Sequence, residues 1–183
     1  MSEVALSAER LQSPVGDLLV VQRDGDLHAL EFADHAQRMR KLLAKRYGTF
    51  RLIEAPASSA AAAALEAYFD GELGAVADLS VDAGGTGFQR RVWSALRRIP
   101  IGTALTYREM AQRLGIPKAV RAVANANALN PVSIVVPCHR VIGSDGTLRG
   151  YSGGLARKRW LLAHEGVEVR TADEEGRGHG TGS

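Results

Sequence analysis

Residues 106–131, TYREMAQRLGIPKAVRAVANANALNP, read as two helical segments broken at a single glycine. Thr106 with Glu109 three residues on has the form of a capping box, Gly115 supplies a stop, and Pro117 suits the opening of a second helix running to about Leu129. Two short helices joined by a tight Gly-containing turn make a helix-turn-helix, a pattern shared by DNA readers and by helical hairpins that only pack. The second helix is built from Ala119, Val120, Ala122, Val123, Ala124 and Ala126, with Arg121 its one long charged side chain. A helix this thin either packs closely on a core or approaches a DNA groove closely while the arginine reaches into the duplex.

Charge around this stretch separates the two readings. Residues 87–160 carry 13 Lys or Arg against Glu109 and Asp145 only, a balance of +11, within a chain whose net charge is +3. Residues 1–86 sum to −5 and residues 161–183 to −3. Segregated basic charge of this size is the electrostatic footprint expected of a polyanion binder.

Upstream, DLLVVQRDGDLHALEF (17–32) has two apolar-rich runs flanking Asp24-Gly25-Asp26, the pattern of a β-hairpin. Ala36, Met39, Leu43 and Tyr47 recur at helical spacing before Gly48, FRLIEA (50–55) suits another strand, and Ser58-Ser59 precede the helix-forming AAAAALEAYFDG. The Gly-rich 71–87 segment is the expected domain boundary. Beyond it, Phe88, Val92, Leu96 and Ile99 form an apolar helical stripe ended by Pro100 and Gly102. After Asn130-Pro131 comes an apolar, β-branched VSIVV run, then a small hairpin around Ser144-Asp145-Gly146, the loop GYSGG and a last helix stopped by Gly166. The polar 171–183 tail is expected to be disordered.

With 183 residues, 45% hydrophobic and 23% charged, the chain has ordinary globular composition. No apolar run approaches the roughly 20 residues of a membrane span, and no secretory signal opens the chain, so no membrane partner and a cytoplasmic location are expected.

IVVPCHRVIG (134–143) holds the only cysteine, Cys138. A single cysteine forms no internal disulfide and builds no thiolate zinc cluster, and the five histidines show no metal-ligand spacing, so neither metal nor cofactor is expected. Cys138 is then either a small buried hydrophobe or a reactive thiol. Neighbouring side chains on an extended strand point to opposite faces, so His139 serves the thiol only if the chain turns there. Pro137 is consistent with such a turn. A histidine base also needs an orienting partner. Glu165, at the end of the last helix, is either that partner or a solvated surface carboxylate, and His164 reads as a residue contacting helix-terminal carbonyls.

IPIGTALTYREMA, PKAVRAVANANALNPVSIVVPCHRVIGSDGTLRGYSGG and KRWLLAHEG together closely resemble the O6-alkylguanine-DNA alkyltransferases, with weaker resemblance upstream through GTGFQRRVWSALRRIP, AYFDGEL and SPVGDLLV, over roughly residues 11–167. The PCHRV pentapeptide is the most specific part. The resemblance implies a ribonuclease H-like α/β domain over 1–83. It implies a mainly α domain over 84–170 that holds a winged-helix-like helix-turn-helix and the alkyl acceptor.

It further implies that the buried-hydrophobe reading of Cys138 gives way to chemistry: Cys138 accepts the alkyl group, His139 removes its proton through a bridging water, and Glu165 holds the imidazole. Tyr107 donates its phenol toward the flipped base, Asn130 is the hinge after the recognition helix, and Arg121 fills the gap left in the duplex. Tyr151 and Ser152 lie in the loop closing over the base, and the carbonyls of Cys138 and Val141 accept its exocyclic amine. The implied partner is double-stranded DNA containing O6-alkylguanine, with O4-alkylthymine left open, bound by a monomer without cofactor. The chain departs from the usual pattern at Ile101, often aromatic, and at Ala124, often glycine. Lacking any cysteine before Cys138, it is not expected to carry the N-terminal zinc site of some members.

Two rival readings remain at this point. A non-catalytic helix-turn-helix DNA-binding protein predicts long polar side chains on the second helix, which Ala119–Ala126 mostly lacks. A cysteine hydrolase leaves the +11 segment unexplained.

Overall fold

A computed structural model describes residues 3–169. Its N-terminal part is a four-stranded sheet of order β3-β2-β1-β4, formed by β1 (Val4–Leu11), β2 (Leu18–Arg23), β3 (Asp26–Phe32) and β4 (Phe50–Ala55). The expected hairpin is β2–β3, and Asp24 and Gly25 both take positive φ (54° and 89°), as a two-residue hairpin turn matching the strand twist requires. β1 pairs antiparallel with β2 and parallel with β4, so it lies inside the sheet.

Helices cover both faces. On one, Met39 and Leu43 of α1 (Ala36–Tyr47) pack with Leu6, Val21 and Ala29. On the other, Ala61, Leu65 and Tyr68 of α2 (Ala60–Phe69) join Leu18, Leu27, Leu30 and Phe32 in a core continuous with the C-terminal helices. Ser59 caps α2 as expected, accepting from Ala62 N at 3.1 Å, and the buried Glu9 carboxylate takes the Ser58 and Ser59 N–H groups.

α3 (Gly87–Arg97) opens with a capping box between Thr86 and Gln89 and buries Val92, Trp93 and Leu96. Phe88, expected in the apolar stripe, is instead 37% exposed because it sits in the first turn, and Trp93 fills the core. α4 (Tyr107–Arg113) carries the expected Thr106–Glu109 capping box, and Gly115 follows at φ 72°. α5 (Val120–Ala128) starts three residues after Pro117, because residues 116–119 first form a tight turn in which Ala119 N donates to Ile116 O. Trp93 Nε1 donates to Ala126 O at 2.9 Å and ties α3 to the end of α5.

The VSIVV run is a buried turn. Its residues connect to the sheet through Leu30, whose N–H donates to Pro131 O and whose carbonyl accepts from Ser133 N. Ile134 sits at φ 70°, a strained conformation for a β-branched residue, and is held there inside the core. The chain then passes through β6 (Val141–Ile142), parallel to β5 (Leu105–Thr106), and ends in α6 (Leu155–His164), with Gly166 at φ 81°. The tail expected to be disordered lies outside the described residues. Among those described, no helix is long and apolar enough to cross a membrane.

Candidate active site

Asn130 fixes the approach to the cysteine. Its Nδ2 donates to Val136 O at 2.8 Å and its Oδ1 accepts from Val132 N at 2.9 Å, strapping both ends of the strained turn. Pro137 then leads into a single 3-10 turn over Cys138–Arg140, closed by Arg140 N donating to Pro137 O. This turn separates the neighbouring side chains by function. Cys138 lines a cleft of about 370 Å3 together with Tyr107, Asn127, Tyr151 and Ser152, and His139 and Arg140 are buried with Glu165. A larger cavity of about 440 Å3, between α1 and the turn before α3, is lined by none of the expected site residues.

Glu165 is buried, which removes the reading of it as a solvated carboxylate. Its Oε1 accepts from His139 Nε2 at 2.9 Å, Arg140 Nη2 at 2.9 Å and Tyr68 Oη at 2.8 Å, and its Oε2 accepts from Arg140 Nε at 2.8 Å. Burial pushes its carboxyl up, but the bonds from His139 and Arg140 outweigh this and hold it well below the usual carboxylate range. An ionised Glu165 places the imidazole proton on Nε2. His139 Nδ1 then carries the free lone pair, and it has no protein partner among the described residues. Burial holds His139 below its ordinary value despite Glu165, so the ring is neutral at pH 7.

The thiol is pushed up by burial, against opposing effects from Asn130, Lys158 and Arg38. It rests as the thiol and needs a base to become nucleophilic. Tyr107 is likewise raised, first by burial and then by Cys138, and its phenol oxygen accepts from Asn127 Nδ2 at 3.4 Å. The Tyr151 hydroxyl is buried without a partner among the described residues.

The fold therefore gathers Cys138, Tyr107, Tyr151 and Ser152 around the cleft, with His139, Glu165 and Asn130 behind it. Val141 is not a lining residue, and its carbonyl accepts from Lys158 Nζ at 2.5 Å. Arg121 stands exposed on α5, outside the cleft. His164 contacts a helix-terminal carbonyl, that of Tyr68 at the end of α2, at 2.7 Å.

Three residues of this arrangement escaped the sequence reading. Arg140 turns away from the thiol to Glu165 and to Ile99 O. Lys158, fully buried, also donates to Arg149 O at 2.8 Å and Gly150 O at 3.4 Å, and burial pulls it down to about 8. Tyr68 comes from the other part of the chain. Nothing local marks any of them; Lys158 looks like one more member of the basic segment.

That segment is also less available than its count suggests. Seven of its thirteen cations are engaged within the fold, among them Arg97 with Ala77 O and Leu79 O, and Arg157 with Val15 O and Asp34. Arg98, Arg108, Arg113, Lys118, Arg121 and Arg159 are exposed and make no hydrogen bond or ion pair with a described residue. Among the described residues no group of three or more His, Cys, Asp or Glu side chains is placed to hold a metal ion.

Curated relatives named methylated-DNA–protein-cysteine methyltransferase include one from Salmonella typhimurium, 46% identical over 164 residues that cover 88% of this chain and 96% of that protein. One from Mycobacterium leprae is 43% identical over 162 residues, covering 88% and 93%. The crystal structure of the Mycobacterium tuberculosis O6-methylguanine methyltransferase superposes with a TM-score of 0.73 at 38% identity, over 87% of this chain and 92% of that one. The same organism's protein in complex with DNA gives a TM-score of 0.73 at 40% identity, over the same shares. Residues 8–83 match the 6-O-methylguanine DNA methyltransferase ribonuclease-like domain and residues 87–167 match its DNA binding domain. With both domains present in order and relatives similar along nearly their whole length, the chain belongs to the 6-O-methylguanine DNA methyltransferase family.

Proposed function

We propose that this chain repairs DNA by moving the alkyl group of O6-alkylguanine in duplex DNA onto Cys138, irreversibly and once per molecule. The observation that carries this reading is the division made by the Cys138–Arg140 turn: the thiol faces the cleft, and the adjacent histidine is fastened to a buried carboxylate behind it. His139 takes the thiol proton on Nδ1 through a bridging water, with Glu165 holding the ring. The thiolate attacks the alkyl carbon, the carbon–sulfur bond forms, and the carbon–oxygen bond breaks with its electron pair passing to guanine. Tyr107 donates toward the base and offsets that charge. The thioether has no easy leaving path, so the protein is consumed.

An alkyl carbon inside a duplex is out of reach of a thiolate, so the nucleotide rotates into the cleft. In this reading Arg121 fills the gap it leaves, Asn130 is the hinge joining α5 to the acceptor turn, and Tyr151 and Ser152 close over the base, with the Cys138 and Val141 carbonyls accepting its exocyclic amine. The Val141 carbonyl has a second lone pair beside the one taken by Lys158. Helices α4 and α5 act as a winged-helix-like reader in the minor groove, where small side chains permit close approach with little sequence preference. The six unengaged cations supply phosphate contacts. The protein works as a cytoplasmic monomer, over domains spanning 1–83 and 84–170, and O4-alkylthymine is the further substrate to assay.

The test is stoichiometry. A duplex bearing one O6-methylguanine, supplied in excess, is expected to be restored to guanine until one lesion per protein is repaired, and then no further. Repeated turnover would identify a hydrolase-like mechanism, and binding without repair a non-catalytic DNA-binding protein.

A further inference from the structure

We propose that Tyr68, contributed by the N-terminal domain, is a positioning residue of the acceptor site, its hydroxyl sharing with His139 the same oxygen of Glu165. The inference rests on the reading of His139 as the base.

Tyr68 lies at the end of α2, 97 residues from Glu165 in sequence, and is fully buried. Its placement is over-determined. The His164 ring packs edge-on against its ring at a centroid distance of 5.1 Å and bonds its carbonyl, Phe69 meets it at 5.3 Å, and Trp160 stacks on His164 at 4.7 Å. A phenol held this firmly needs a partner for its O–H, and the one it has is Glu165 Oε1.

That oxygen also accepts from His139 Nε2 and Arg140 Nη2. Three donors divide one oxygen's charge, so the Tyr68 bond weakens the pull of Glu165 on the imidazole N–H while fixing the carboxylate's rotation. The charged and titratable groups acting on His139 are Glu165, Arg140 and Lys158, and those bonded to Glu165 are His139, Arg140 and Tyr68. Apart from the imidazole itself, only Tyr68 among them is neutral, so removing its hydroxyl changes the hydrogen bonding of the relay without changing its charge.

The sign follows. Without the hydroxyl, Glu165 attracts the His139 proton more strongly and the imidazolium is favoured, so His139 titrates at higher pH. A base must be neutral to act, so the acid limb of the alkyl-transfer profile moves to higher pH with it.

The experiment is a titration of His139 by NMR of isotope-labelled imidazole in the full chain, with single-turnover repair rates over the same pH range. Tyr68→Phe is expected to raise both midpoints by about half a unit. Difluorotyrosine incorporated at Tyr68, a stronger donor of similar shape, is expected to lower both. Phe69→Leu, which loosens the same packing but spares the hydroxyl, is expected to lower Tm and leave both midpoints in place. An unmoved His139 midpoint in the position-68 variants would overturn the proposal, as would an equal shift in Phe69→Leu. A moved His139 midpoint with an unmoved rate profile would overturn the assignment of His139 as base, and the role of Tyr68 with it.

Discussion

The two sides of Cys138 differ in how heavily their polar groups are bonded to one another. Behind the thiol, Glu165 accepts four hydrogen bonds, Lys158 donates three and Asn130 makes two, and His139 Nδ1 is left open among the described residues. On the cleft side, the Tyr151 hydroxyl and Asn127 Oδ1 are buried without partners among the described residues, and Tyr107 has one long bond from Asn127. Buried polar groups are normally paired, so an unpaired set lining a cleft beside a thiol is where a polar ligand would complete the bonding. The rear holds geometry and the front is left to be completed, which is how a preorganised site is built.

If that division is right, substitutions behind the thiol cost stability and those in front cost rate. Arg140→Leu should have the largest effect. It leaves the Glu165 carboxylate buried with its main cationic partner gone, which typically costs about 3–5 kcal/mol, read as a fall in the denaturant midpoint. A loss below about 1 kcal/mol would mean that the rear network is not holding the site.

Lys158→Met should come next, at about 1–3 kcal/mol near pH 7, because it strips buried carbonyls of their donor. Its pH dependence gives a sharper check. Lys158 is pulled from an ordinary 10.5 to about 8 on folding, so between those values the unfolded chain binds more protons than the folded one. Wild-type stability relative to Lys158→Met therefore rises as pH increases from 8 to 10.5 and is flat below 8. A difference that falls over that window would contradict the lowered lysine.

Tyr107→Phe should have the smallest effect on stability, less than about 1 kcal/mol, since only the 3.4 Å bond is lost. Its alkyl-transfer rate should nevertheless fall by about a hundredfold, the scale of a general acid's contribution. Equal damage to stability and rate would erase the distinction between front and rear.

The residues lining the cleft, and Asn130, His139 and Glu165 behind it, were legible in the sequence through the resemblance, whereas the groups that brace the rear were not. PCHRV fixed attention on Cys138, and the Thr106–Glu109 capping box and Gly115 stand where the local pattern puts them, because caps and turns depend on residues a few positions apart. Tyr68 meets Glu165 only once the two parts of the chain pack together. Arg140 and Lys158 act within the second part, through partners such as Ile99, Glu165 and Val141 that are 17 to 41 positions away, and no short spacing encodes these contacts. The buried turn at VSIVV shows the same limit: β-branched residues favour extended chain, but Asn130 and the Leu30 bonds hold Ile134 at positive φ. β1, for its part, acquires meaning only between β2 and β4. The count of basic residues overstated the surface available to DNA because a sequence does not distinguish an arginine facing solvent from one donating to a carbonyl.

The most direct measurement is the intact mass of the protein after incubation with duplex DNA carrying a single O6-methylguanine, followed by peptide mapping. The expected result is the gain of one methyl group, located on Cys138, and no gain in Cys138→Ser. Unmodified wild-type protein after the DNA is fully bound, or a methyl group on any other residue, would contradict the assignment of Cys138 as the acceptor.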